Sequence, residues 1–320
     1  GNWHGLKLVA VAEGDEVLQL RDRDKPYRLE LAGTIGGTSV KAKGSVTDLV
    51  APKAADAQVE VRGRSLGEWY RIVGLGLPDT PPYSTAGQVR LQQGIWRYEN
   101  FKSRVGQSDV GGSVAFEPRP ARPFVSGTLV SQRLDLKDFA PMIGKTPTPR
   151  SSTPPPESST EKPKAPPPTG RREGKLLPQQ SFSAEKWDTL DADIRFEAKA
   201  VRNLGSMPFD DLKMRVVLDN RKLSLDPLQV GFAGGNVAGR LAVDGRSQPM
   251  KASIDARGRQ LRLDQLVPRI GNNSRAALGT VSGRVKLDGN GNSFGQQLAS
   301  ASGEMQLGMG EREISNLLLE

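Results

Sequence analysis

Large apolar side chains recur two positions apart through most of this chain. The pattern is plain in Val89-Arg90-Leu91, Trp96-Arg97-Tyr98, Val114-Ala115-Phe116, Met214-Arg215-Val216-Val217-Leu218 and Leu241-Ala242-Val243. Polar or small residues fall between most of them. A period of two puts the apolar set on one face of an extended strand and the rest on the other, so such a chain must build sheets with one greasy face. Gly111-Gly112, Gly234-Gly235-Asn236, Asp244-Gly245 and Gly289-Asn290-Gly291 supply turn chemistry between the strands. Strands of about six residues with turns every ten or so predict an antiparallel, mainly β protein with little helix.

The alternation repeats. Residues 95–116 overlay 222–243 at a shift of 127 positions, placing Trp96 on Leu223, Tyr98 on Leu225, Phe101 on Leu228, Val114 on Leu241 and Phe116 on Val243. The same shift carries Leu134–Gly144 onto Leu261–Gly271, and a weaker copy of that element is Ser65–Gly74, at a shift of 70. Each unit therefore reads as several strands followed by a short amphipathic helical turn ending at Gly, a residue suited to the left-handed conformation. Units of this kind stack side by side, each covering what its neighbour exposes. The expected fold is mainly β, an elongated repeat of antiparallel strands forming a curved sheet or groove, with short helices after the strands. Residues 1–144 form the first β-repeat segment, with copies ending near Gly74 and Gly144. Residues 181–320 form the second, continuing into an amphipathic helix cut short at Asn316-Leu317-Leu318-Leu319-Glu320. Between them, residues 145–180 read as a Pro-rich linker. Its core, KTPTPRSSTPPPESSTEKPKAPPPTG, has too little apolar surface to offset the entropy of ordering it, which predicts disorder.

Composition narrows the chemistry. The chain of 320 residues has no Cys, and its one His is His4, which removes thiol catalysis and disulfides and argues against His-based acid–base or metal sites. No apolar run approaches the roughly 18 to 20 residues of a spanning helix. The net charge of +9 raises nucleic-acid binding, but nearly half of it sits in 145–180, and elsewhere signs interleave, as in Arg21-Asp22-Arg23-Asp24-Lys25. Nucleic acid is not an expected partner. Asp135 and Asp138 suggest a carboxylate pair, yet their equivalents are Arg262 and Gln265 in one copy and Ser65 and Glu68 in the other. What the copies share is the apolar skeleton, which favours a structural role. Asp288-Gly289-Asn290-Gly291-Asn292 opens like a calcium loop but carries Ser293 and Ala299 where Gly and Glu are needed, and reads as a hairpin turn instead. Gly74-Leu75-Gly76-Leu77-Pro78 completes no phosphate-binding glycine motif. The expectation is a non-enzyme without cofactor or metal, acting through a surface.

Several segments resemble one family. Gly76-Leu77-Pro78-Asp79-Thr80-Pro81-Pro82-Tyr83, Trp96-Arg97 and above all Arg104-Val105-Gly106-Gln107-Ser108-Asp109-Val110-Gly111-Gly112 look like the AsmA family. So do Ser131-Gln132-Arg133-Leu134-Asp135-Leu136-Lys137-Asp138-Phe139, Ala301–Leu307 and Glu313–Leu317. The resemblance implies a Gram-negative envelope protein, lying in the periplasm and held in the inner membrane by an N-terminal helix missing from this chain. It also implies a part in outer-membrane and envelope biogenesis, through a β groove that shields or transfers phospholipid acyl chains. Exposing a sixteen-carbon chain to water costs about 13 kcal/mol at roughly 0.8 kcal/mol per CH₂, and an apolar trough removes most of that without a catalytic group. Candidate groove residues are Val89, Leu91, Val114, Phe116 and Leu129 in one copy, with Val216, Leu218, Leu241, Val243 and Ile254 in the other. Two rival readings stand beside this one. The same side chains fill a closed sandwich core, or the fold is a non-conducting scaffold that assists outer-membrane assembly proteins.

Overall fold

The computed structural model describes residues 1–143, 187–202, 209–266 and 279–310, apart from six loop residues within 17–20 and 75–78. The Pro-rich stretch, Gly144, Gly271 and the expected C-terminal helix lie outside the described residues. The first half contains β1 (Asn2–Trp3), β2 (Leu6–Gly14), β3 (Pro26–Ile35), β4 (Thr38–Thr47), β5 (Ala54–Gly63), β6 (Tyr83–Gln92), β7 (Ile95–Val105), β8 (Ser108–Glu117), β9 (Phe124–Ser131) and β10 (Leu134–Asp135). The second contains β11 (Asp191–Ala198), β12 (Val201–Arg202), β13 (Phe209–Asp219), β14 (Lys222–Phe232), β15 (Gly235–Asp244), β16 (Lys251–Arg262), β17 (Thr280–Asn290) and β18 (Ser302–Gly310).

Sixteen of these strands form one open sheet in chain order, with β10 and β12 set aside as a small parallel pair. The sheet is not closed into a barrel. At about 4.8 Å per strand it runs roughly 70 Å from β1 to β18, and ten-residue strands make it roughly 33 Å wide. No second sheet lies on it among the described residues, and only twelve apolar residues there are buried. A sandwich of this size would bury several times as many, so the closed-core reading fails.

The repeat predicted from the sequence is the repeat of the fold. Shifting β6–β9 by 127 residues lands on β13–β16, with β7 and β8 falling on β14 and β15 end for end. A shift of 70 in the other direction takes β8 onto β4. Each unit closes with a helical element at the same end of the strands. A 3-10 turn (Leu66–Glu68) running into α1 (Trp69–Val73) follows β5; a 3-10 segment (Leu136–Ile143) follows β9; α2 (Leu263–Leu266) follows β16. Ser65 caps the first by accepting from Gly67 N at 3.2 Å, and Gly74 ends α1 with φ 76°.

The structure departs from the sequence reading in three places. Strands β9 and β11 pair in parallel, the one exception among the neighbours of the large sheet. A four-strand unit begins and ends on the same side of the sheet, whereas β11 is a single extra strand between two units. The chain must therefore return across the sheet's full width between the end of β9 and the start of β11. Gly111-Gly112 is not a turn but lies inside β8, where Gly112 has φ 141° and sits against the Thr128 carbonyl of β9. Nor is the loop after Asp288 a simple hairpin. Strand β17 runs on to Asn290, and α3 (Phe294–Ala299), capped by Ser293 accepting from Gln296 N, intervenes before β18.

Candidate functional site

Residues directly opposite each other in a ladder share a face, and that rule carries one face across the whole sheet. Val89 stands opposite Tyr98 and Leu91 opposite Trp96. Trp96 then faces Phe116, and Tyr98 faces Val114. Across β8–β9, Gly112 meets Leu129; Leu129 in turn meets Phe196 on β11. Ile194 and Ala192 of β11 oppose Val216 and Leu218, which oppose Leu225 and Leu223. These pair with Leu241 and Val243, and Leu241 with Ile254. All ten candidates therefore lie on one face. Leu91 and Val243 are buried, at 2% and 5% exposed, and the other eight are half-buried. The same face continues outward through Val59 and Val61 of β5 to Leu29 and Leu31 of β3, and through Leu287 to Met305 of β18.

The opposite face is charged. Arg215 grips Asp193 with two bonds of 2.7 and 2.8 Å, Arg284 grips Asp255 at 2.9 and 3.1 Å, and Lys43 meets Glu30 at 2.9 Å. The guanidinium beside each holds the Asp193 and Asp255 carboxyls below the usual carboxylate range. One surface is thus wetted by ion pairs while the other is mostly hydrocarbon, with a small hydroxyl cluster at Thr85, Ser103 and Tyr98.

Sequence reasoning missed several residues of the apolar face. Trp96, Tyr98, Phe101, Phe196 and Leu225 belong to it. Tyr98 and Phe101 are three apart and break the alternation, yet a bulge at Asn100 (φ 51°) brings both to one face, stacked with centroids 4.8 Å apart. Gly87 opposite leaves room, since a Cβ there would lie 2.6 Å from Phe101 Cβ. The second copy repeats the device: Leu225 and Leu228 straddle the same bulge in β14. That three-residue spacing, conserved between copies at the 127 shift, was the available signal. Beside the stack, Ser103 Oγ donates to Thr85 Oγ1, and Thr85 Oγ1 meets the Tyr98 hydroxyl, each at 2.7 Å. Burial pushes the Tyr98 phenol up.

Helical elements wall this face along one long side. Val61, Tyr83 and Val105 at the strand ends pack with Leu66, Trp69 and Phe139, and Trp69 Nε1 donates to the Tyr83 hydroxyl at 2.7 Å. Phe139 also joins Leu134, Ala198 and Val201, with Phe196, Phe209 and Leu212 against them. At the far edge Trp3 Nε1 donates to Ile72 O at 2.8 Å, so α1 reaches across to β1. Before α3, the opposite long side carries turns, loops and a short 3-10 stretch at Trp187 and Asp188 among the described residues, with Arg221 meeting Asp188 at 3.4 Å.

The wall is fastened by the segments that carried the resemblance. Asp138 Oδ2 accepts from Gln107 N at 2.8 Å, Ser108 N at 2.9 Å and Ser108 Oγ at 2.7 Å; Asp135 N donates to Ser108 Oγ at 2.9 Å. The strand-entry motif and the cap motif thus interlock. A family model described as the AsmA family matches residues 37–319. The chain belongs to the AsmA family. The AsmA family protein YhjG of Escherichia coli (strain K12) is 31% identical to it over 325 residues, an alignment covering 100% of this chain and 47% of that protein. The chain thus spans about half the length of that AsmA relative. No solved structure gives a significant match to it. Among the described residues of this AsmA chain, no helix is long and apolar enough to cross a membrane.

Proposed function

We propose that the apolar face takes lipid acyl chains, shielding phospholipid from water in the periplasm of a Gram-negative cell, in a protein anchored to the inner membrane and serving outer-membrane biogenesis. The observation that supports this most is the register of apolar side chains from β3 to β18, half-buried across the middle of the sheet, exposed at β18, and with no second sheet on it among the described residues. Soluble monomers rarely expose large contiguous apolar patches, so partly exposed apolar side chains aligned across so many strands fit a surface built for an apolar guest. Bringing an acyl chain against it recovers about 25 cal/mol for each Å² removed from water. Such a role requires no catalytic residue, metal or cofactor, and the protein is read as a carrier rather than an enzyme.

The test is to purify the chain from cells, extract it for mass spectrometry, and follow transfer of labelled phospholipid between liposomes. Co-purifying phospholipid and transfer are expected, and Phe116→Glu, which changes a half-buried position, lowers lipid binding about tenfold while leaving the thermal midpoint near that of the parent. No bound lipid together with no transfer overturns the reading and leaves the scaffold alternative, in which the face holds outer-membrane assembly proteins.

A further inference from the structure

At the walled end of the strands, on the side away from the apolar face, lies a cavity of about 510 Å³ lined by Arg104, Gln107, Asp109, Gln132, Arg133 and Arg202, with Ser108 and Ala200. Its three arginines come from β7, from the link between β9 and β10, and from β12. Nine arginines of the described residues face a carboxylate: Arg90, Arg119, Arg122, Arg215 and Arg221, with Arg240, Arg246, Arg262 and Arg284. None of these three has a carboxylate partner among the described residues. These three converge on one hollow.

The backbone around the hollow is held firmly. Asp109, the acid in its lining, is occupied by the chain itself, accepting from Gln132 N at 3.0 Å and Arg133 N at 2.7 Å. Asp109 N returns a bond to Arg133 O at 3.1 Å. The segment carrying Ala200 and Arg202 is tied by Lys199 N to Ser131 O at 2.9 Å and by Leu134 N to Ala200 O at 2.8 Å. The arginines are thus mounted on fixed backbone, and the carboxylate beside them orients the loop that bears Arg133.

We propose that this cavity binds a phosphate group. Planar guanidinium forks match the non-bridging oxygens of a phosphate monoester or diester, and several forks around one pocket provide the charge-assisted bonds such an anion needs. Glutamine amides at Gln107 and Gln132 add neutral donors at the rim. Arg104 stands opposite Ser84 and Asp109, on the charged face of the sheet, so the site does not depend on what the apolar face holds. The phosphate comes either from the headgroups of an anionic membrane surface or from a free phosphate compound.

The experiment titrates the whole chain with inorganic phosphate by calorimetry, then measures flotation with phosphatidylcholine vesicles with and without phosphatidylglycerol. The variant is Arg104→Ala/Arg133→Ala/Arg202→Ala; the charge-matched control is Arg195→Ala/Arg257→Ala/Arg259→Ala, from the exposed charged face. Saturable phosphate binding that falls about tenfold or more in the variant and less than about twofold in the control supports the site. Flotation with phosphatidylglycerol vesicles that the variant alone loses assigns the phosphate to a membrane surface; phosphate binding without flotation assigns it to a free compound. Absence of saturable phosphate binding, or equal loss in variant and control, overturns the proposal.

Discussion

A hydroxyl at the start of a strand and an acid on the helical wall form the same contact in two units of this protein. Ser108 Oγ donates to Asp138, and, displaced by 70 residues at each end, Thr38 Oγ1 donates to Glu68 Oε2 at 3.3 Å. In the third copy the equivalent positions are Gly235 and Gln265, and the contact cannot form. Asp138 is buried and receives two backbone amides besides the hydroxyl, so its loss leaves several donors without a partner. Asp138→Ala is expected to destabilise by about 2–4 kcal/mol, and Thr38→Val, which removes one longer bond, by about 1 kcal/mol. Urea denaturation followed by circular dichroism measures both; Ser108→Ala combined with Asp138→Ala should cost clearly less than the sum, because the two share one network. The sequence already argued that Asp138 is structural, since its equivalents do not keep a carboxylate pair. Which hydroxyl it holds was not legible, because the partners are 30 residues apart and the bond depends on how the wall folds back.

At the scale of elements, strands and turns were legible and irregularities were not. Alternation locates a strand but is blind to a bulge, which is why Tyr98 and Phe101 escaped the candidate set, and to a mid-strand glycine, which is why Gly111-Gly112 reads as a turn. Cross-strand ion pairs are a second element-scale feature. Arginine hydrogen bonds hold Asp193, Asp244, Asp255 and Asp264 below the ordinary carboxylate range. A depressed folded-state pKa gives stability that is full above the unfolded value, about 3.9, and is lost as pH falls below it. The thermal midpoint is therefore expected to be level from about pH 8 to 5 and to fall between about pH 4 and 2, and a midpoint that rises on acidification contradicts this. The connection ahead of β11 offers another check. It has to cross a sheet edge of eight residues, roughly 26 Å, and removing residues 147–176 leaves 17 between Ile143 and Asp191, enough for about 56 Å. That deletion is expected to leave the far-ultraviolet spectrum and the thermal midpoint of the sheet unchanged.

For the whole molecule, the single apolar face was the feature most fully written in the sequence. Ten residues chosen by alternation in two distant copies come to lie on one side because every register shift in the large sheet is a local bulge that the pairing absorbs. Photo-crosslinking residues placed at Leu129, Leu218 and Ile254 should each capture labelled phospholipid, and the same residue at Lys213 or Arg257 on the charged face should not; capture confined to one of the three would mean an isolated pocket rather than a trough. The unwalled long side has a consequence of its own for such a guest. A closed tube must be threaded and emptied through its ends, so one stalled occupant stops all traffic. If the face holds acyl chains as proposed, a hydrocarbon tail leaves sideways past a hairpin, neighbours need not queue behind it, and capacity grows with every strand pair added to the row.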